Sequence, residues 1–208
     1  MATWRPRGAI RYDPWEIEDD TVGSRRQRGD ECLAARPGRG FPSQFGIREG
    51  DAVLDFGCGP GTYALPLAQV VGPQGRVIAL DRSAGQLEEL KRRITGSPLR
   101  NRIDITRTDG DLTLNGIEDG SLDAALLFDV LQHVEDWRPL IFSLRRSLAP
   151  GGLLLINPSG LSHPGRVDLD LLASILAEEG FTVERAVRDR VAHYDRIREE
   201  EILVCRRS

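Results

Sequence analysis

Between Asp55 and Thr62 the chain reads Asp-Phe-Gly-Cys-Gly-Pro-Gly-Thr. Glycines at 57, 59 and 61 let a backbone turn sharply and approach a ligand closely, and a helix opening behind them offers free N–H groups and a partial positive end. Asp81 lies 20 residues beyond Gly61, where a carboxylate can accept from both hydroxyls of a ribose. The pair describes a cradle for an adenosine-containing ligand. The plainer alternative is a glycine-rich turn followed by an acid that caps a helix. The dinucleotide pattern G-x-G-x-x-G, begun at Gly57, needs glycine where Thr62 stands, which disfavours NAD.

The elements that must hold these residues are legible around them. Ala52 to Phe56 is a short apolar run closed by glycines, a buried strand, and Tyr63 to Val71 carries apolar residues at helical spacing. Arg76 to Leu80 is a second strand. Ser83 with Gln86 three residues on opens a helix toward Ile94. Strands follow at Arg102 to Arg107 and Leu122 to Phe128, then a helix from an Asp136 N-cap to Leu148, broken by Pro150-Gly151-Gly152. Leu153 to Asn157, a helix over Asp168 to Glu179, and strands at Phe181 to Val187 and Glu201 to Arg206 complete the pattern. Strand and helix alternate with short links. The expected fold is α/β, a Rossmann-like doubly wound sheet of about seven mainly parallel strands with helices on both faces and an antiparallel C-terminal hairpin strand. Residues 1–49, rich in Pro, Gly, Arg and acids, are expected as an N-terminal arm or lid on a catalytic domain over 50–208.

The chain has 208 residues and a net charge of −4, one domain with enough length for a sizeable core. The acidic balance removes the general attraction to phosphate backbones and argues against a nucleic-acid partner. Lys91 is the single lysine among 28 basic residues, a compositional bias, since the arginine-rich start is also rich in acids. Cys32, Cys58 and Cys205 are far apart and suggest neither a disulfide framework nor a zinc site. No apolar run is long enough for a membrane span, and the first residues lack a signal-peptide core, so a cytoplasmic setting is expected.

The segments VLDFGCGPGTYALPLA, VIALDRS, DGDLTLNGIEDGSLDAALLFDVLQHVED and LRRSLAPGGLLLINP resemble, in order and spacing, the successive motifs of class I S-adenosylmethionine-dependent methyltransferases. The resemblance covers about Gly50 to Asn157. It implies that Asp55, Gly57, Gly59 and Gly61, with Cys58 between them, hold the methionine and ribose parts of S-adenosylmethionine. It implies that Asp81, followed by Arg82, takes the ribose hydroxyls. Asp111, or Asp109 beside it, matches the carboxylate on the adenine amine, with the Leu112 N–H alongside. Phe128 and Asp129 match the lining of the cofactor's amino-acid end.

Methyl transfer from a sulfonium needs proximity, alignment and exclusion of water, and no metal. A base matters when the acceptor must lose a proton, and His133, shortly after the fourth strand, is the catalytic candidate. His163 and the His193-Tyr194 pair fall where the family shapes its acceptor pocket. Tyr12, Trp15 and Tyr63 could present aromatic faces to a sulfonium, or the first two could simply anchor the arm with Trp4. Phe128-Asp129-Val130-Leu131 departs from the Asn/Asp-Pro-Pro-aromatic signature of base methylases, and Asn157-Pro158 stands in the wrong place for it. The reading is a methyltransferase acting on a small molecule and releasing S-adenosylhomocysteine, as monomer or homodimer. An NAD(P) oxidoreductase and a non-catalytic cofactor-binding protein are the competing readings.

Overall fold

A computed structural model describes residues 41–110, 112–158, 167–193 and 197–208. Five parallel strands form the centre: β1 (Ala52–Phe56), β2 (Arg76–Asp81), β3 (Ile103–Arg107), β4 (Leu122–Phe128) and β5 (Leu148–Asn157). β6 (Phe181–Ala192) and β7 (Ile197–Arg207) form a hairpin whose β7 pairs antiparallel with β5. The order is β3-β2-β1-β4-β5-β7-β6, the expected mainly parallel sheet with its antiparallel end. Strand order reverses between β1 and β4, and the crevice outside their carboxyl ends is where open α/β sheets bind ligands.

Helices α1 (Phe41–Gln44), α2 (Ala64–Val70), α3 (Ala84–Ile94), α4 (Arg138–Ser147) and α5 (Leu169–Glu178) cover the sheet. Successive strand residues serve opposite faces. Val53, Val77 and Leu126 join Leu67, Leu90 and Ile94 of α2 and α3, while Leu54, Leu127 and Ile156 join Leu140, Leu144 and Leu172 of α4 and α5. Both faces being covered explains why the parallel strands read as continuous apolar runs. No helix among the described residues is long and apolar enough to cross a membrane.

The Ser83 cap forms as expected, its Oγ accepting from Gln86 N at 3.4 Å, and Asp168, expected as the first residue of its helix, is instead its N-cap, with Oδ1 accepting from Asp170 N and Leu171 N at 3.0 Å each. Other expectations are corrected. The N-cap of α4 is Trp137, without a side-chain bond and one residue later than the expected Asp136, whose Oδ1 accepts from Arg138 N at 3.0 Å. That helix ends at Ser147, and Pro150-Gly151-Gly152 lies inside β5. β6 runs on to Ala192 and β7 starts at Ile197 because facing charges support the pairing, Arg188 opposite Glu201 and Arg190 opposite Glu199. Phe41, Phe45 and Ile47 pack into the core ahead of β1.

Candidate functional site

After β1 the backbone is drawn across the sheet edge. The N–H groups of Gly57 and Cys58 both donate to the Leu80 carbonyl at the end of β2, at 2.8 and 2.9 Å. Gly57 has φ +77°, and a Cβ there would lie 2.6 Å from Val130 Cγ2, so the loop passes too close to the β4 turn for any side chain. Gly59, at φ +51°, faces open space where its Cβ would stand. That opening leaves the middle of the loop accessible to a ligand.

Asp81 ties the loop to β2. Its Oδ2 accepts from Gly59 N at 2.8 Å and its Oδ1 from Ser83 N at 2.8 Å. Each oxygen keeps a further lone pair for a ligand hydroxyl. Arg82 beside it is exposed, and its carbonyl accepts from Arg107 Nε at 3.2 Å. Asp55, at the end of β1, is 2% exposed. Burial pushes its carboxyl up to about 7, against the lowering effect of the Ala64 N–H and with some help from the charge of Asp81. Its Oδ2 has no hydrogen-bond partner among the described residues, and an unpaired buried carboxylate oxygen asks for a donor. Cys58 is buried, and burial drives its thiol well above the usual range; the residue contributes backbone.

Beyond β3, the Thr108 N–H donates to the Asp81 carbonyl at 3.0 Å, which brings the segment expected on the adenine next to Asp81. Asp109 is exposed and Leu112 is half-buried against the second core cluster. Asp111 lies outside the described residues, as do Trp4, Tyr12, Trp15, His163 and Tyr194.

On the other side of the crevice, Phe128 is buried edge-on against Tyr63, with ring centres 4.7 Å apart, and against Phe41 at 5.8 Å. Asp129 follows at φ +57°, a left-handed conformation that costs a residue with a Cβ roughly 1–2 kcal/mol. What holds it is a histidine 64 residues away: His193 Nδ1 lies 2.9 and 2.7 Å from the two Asp129 carboxylate oxygens. His193 Nε2 lies 3.0 Å from Glu200 Oε1, and both side chains are 2% exposed. Asn157, at the end of β5, donates from Nδ2 to Glu200 Oε2 at 3.1 Å. Burial opposes a charged His193 ring, but hydrogen bonding and the charges of Asp129 and Glu200 outweigh it and raise the ring above its ordinary value. The Tyr63 hydroxyl accepts from Ala192 N at 2.8 Å and donates to Ala192 O at 3.3 Å, clasping the backbone next to His193. Burial raises that phenol, as do the charges of Asp129, Asp55 and Glu200.

His133 ends a short 3-10 turn over Leu131–His133, is exposed, and donates its N–H to the Val130 carbonyl at 2.8 Å. Trp137 Nε1 fastens this turn by donating to the carbonyls of Leu131 and Val134 at 2.9 and 3.0 Å. The sequence singled out Asp129 and His193 separately. Their pairing, and the parts of Glu200 and Asn157, escaped it because no local spacing joins residues from four different strands.

A family profile described as a methyltransferase domain matches residues 54–156, from β1 through β5. Residues 54–156 are a class I methyltransferase domain. Among curated proteins the chain is similar to an uncharacterized 37.1 kDa protein in transposon TN4556 of Streptomyces fradiae, 41% identical over 110 residues, covering 53% of this chain and 30% of that protein. It is also similar to a ubiquinone/menaquinone biosynthesis C-methyltransferase of Francisella tularensis subsp. novicida, 32% identical over 114 residues, 55% of this chain and 45% of that one. The chain thus spans less than half the length of these relatives. A SAM-dependent methyltransferase from Aquifex aeolicus shares the fold, with a TM-score of 0.71 at 18% identity over 88% of this chain and 97% of its own. The methyltransferase domain matched by the profile stops at Ile156, so Asn157, His193 and Glu200 lie beyond it.

Proposed function

We propose that the chain binds S-adenosylmethionine and transfers its methyl group to a small-molecule acceptor, releasing S-adenosylhomocysteine. The observation that carries this reading is the glycine loop pinned to Asp81, with the unpaired Asp55 oxygen beneath it and open space over Gly59. These residues fit the cofactor: Asp55, Gly57, Cys58, Gly59 and Gly61 on its methionine and ribose, Asp81 and Arg82 at the ribose hydroxyls, Asp111 or Asp109 with Leu112 at the adenine, and Phe128 and Asp129 at the amino-acid end. S-adenosylmethionine supplies a methyl on a sulfonium, an already activated leaving group. The chain's own part is to align it and keep water out. The buried aromatic cluster of Phe41, Tyr63 and Phe128 makes a dry wall at the end of β4. Residues 1–49, of which Phe41 and Phe45 anchor beside this wall, are assigned as the arm on the acceptor side. His133, exposed on the turn after β4, is the proposed base for an acceptor that must lose a proton.

The net charge of −4 favours a small acceptor over a polyanion. The name of the Francisella relative makes a quinol the first acceptor to try. Calorimetry with S-adenosylmethionine and S-adenosylhomocysteine, followed by a release assay for the latter across a metabolite panel containing quinols, tests the reading. Binding of neither cofactor form overturns it.

A further inference from the structure

Behind Asp129 the methyl-transfer reading leaves three buried polar residues unused, and with it they form the chain Asp129, His193, Glu200, Asn157. Its members come from the ends of β4, β6, β7 and β5 in that order, and they converge beside the topological switch point. Only Asp129 reaches the surface: its side chain is 30% exposed, against 2% for His193 and for Glu200. The network therefore points one carboxylate into the crevice and buries everything that holds it.

We propose that His193, backed by Glu200 and Asn157, is a positioning residue that fixes the Asp129 carboxylate for the amino-acid end of S-adenosylmethionine. The inference rests on the methyl-transfer reading and adds to it a residue outside the matched domain. Three features argue for a dedicated device over ordinary packing. Asp129 has a left-handed backbone, which tends to persist only where neighbours over-determine it. Both of its oxygens share the single donor His193 Nδ1, so the carboxylate plane is set by the ring. The ring in turn faces a carboxylate oxygen at each nitrogen, 2.7 Å from Asp129 at Nδ1 and 3.0 Å from Glu200 at Nε2, an ion-pair arrangement that favours the imidazolium. One imidazolium between two carboxylates leaves a net negative charge, which suits a ligand ammonium at the exposed oxygen edge.

Among the described residues, Asp129 after β4 and Glu200 on β7 are the titratable groups paired with His193; Tyr63 ahead of α2 holds the adjacent Ala192 backbone, and neutral Asn157 from β5 donates to Glu200. Tyr63 gives the device its link to the glycine loop. Its hydroxyl holds Ala192 by both backbone groups, so the His193 end of β6 and the start of α2 move as one.

Calorimetry with two probes separates positioning from general structure. S-adenosylhomocysteine carries the amino-acid end, and methylthioadenosine lacks it. In His193→Ala the affinity for S-adenosylhomocysteine should fall about ten- to a hundredfold, the loss of one charge-assisted contact, while methylthioadenosine binding stays within about twofold. His193→Asn, whose amide can still donate to Asp129, should recover part of the loss. Equal losses for both probes, or no loss for either, overturns the proposal. A second measurement needs no ligand: nitrogen-15 spectra of the full chain across a pH series should show the His193 ring keeping its second proton to higher pH in the parent than in Asp129→Asn. Loss of that proton at the same pH in both overturns it as well. If the parent binds methylthioadenosine but not S-adenosylhomocysteine, the positioning role falls alone; if it binds neither, the methyl-transfer reading falls with it.

Discussion

The Gly59 amide donates to the Asp81 carboxylate at 2.8 Å, joining the middle of the glycine loop to the end of β2. One carboxylate thus shapes the loop and presents lone pairs to whatever the loop holds. Asp81→Ala is expected to weaken S-adenosylhomocysteine binding by about 1–3 kcal/mol, since a charge-assisted contact is lost. Calorimetry reads this directly. Unchanged affinity would mean that the ribose carboxylate lies elsewhere.

Gly57 meets Val130 across the crevice. A methyl group there would stand 2.6 Å from Val130 Cγ2 on a backbone at φ +77°, so Gly57→Ala should cost about 2–4 kcal/mol from strain and overpacking together. Thermal unfolding should show part of this recovered when Val130→Ala is added. A double variant no more stable than Gly57→Ala alone would rule out the steric contact.

Asp55 shows the cost of holding a carboxyl in the core. Its ordinary value is 3.8 and burial raises it to about 7, so the folded state retains a proton that the unfolded chain gives up. Its contribution to stability therefore falls as pH rises from about 4 to about 7. Asp55→Asn keeps an oxygen for the Ala64 N–H and removes the charge. It should stabilise the ligand-free protein by about 1–4 kcal/mol at pH 8 and by much less at pH 5, in denaturant titrations at the two values. Its affinity for S-adenosylhomocysteine should drop.

His193 titrates with the sign of a base whose folded value is raised from 6.5. Its contribution is fully present below about pH 6.5 and is lost as pH climbs through the raised value. The stability difference between the parent and His193→Gln should be larger at pH 6 than at pH 9. A gap that widens on the alkaline side contradicts a charged ring held between Asp129 and Glu200.

His133→Ala separates chemistry from binding. With an acceptor that loses a proton, turnover should fall about a hundredfold or more while cofactor affinity is retained. Equal turnover removes His133 from the role of base.

Much of the fold was legible because its signals are local. The Ala52–Phe56 and Leu122–Phe128 strands are apolar runs bounded by turn residues, and both are found with those limits. Ser83 and Asp168 cap helices through bonds to residues two or three positions on. Local patterning failed where burial competed with propensity. Pro150-Gly151-Gly152 reads as a helix breaker, yet the chain is already extended from Leu148, where pairing with Leu122 sets its course. The far end of the β6–β7 hairpin is masked by charges that make sense only opposite one another, as Arg190 and Glu199 do.

The site divides along the same line. The glycine loop and Asp81 are readable because a close backbone approach demands glycine at set intervals, and the β–α–β unit brings an acid to a fixed distance beyond. Asp129, His193, Glu200 and Asn157 carry no such spacing. They meet because β7 inserts antiparallel beside β5 and carries β6 along its outer edge. The sequence by itself determined the alternating strands and helices and the glycine loop pinned beside Asp81. The order of the last strands, and with it the imidazole placed behind Asp129, was decided only by tertiary structure, because contacts between residues 64 apart depend on how a sheet closes and leave no period along the chain.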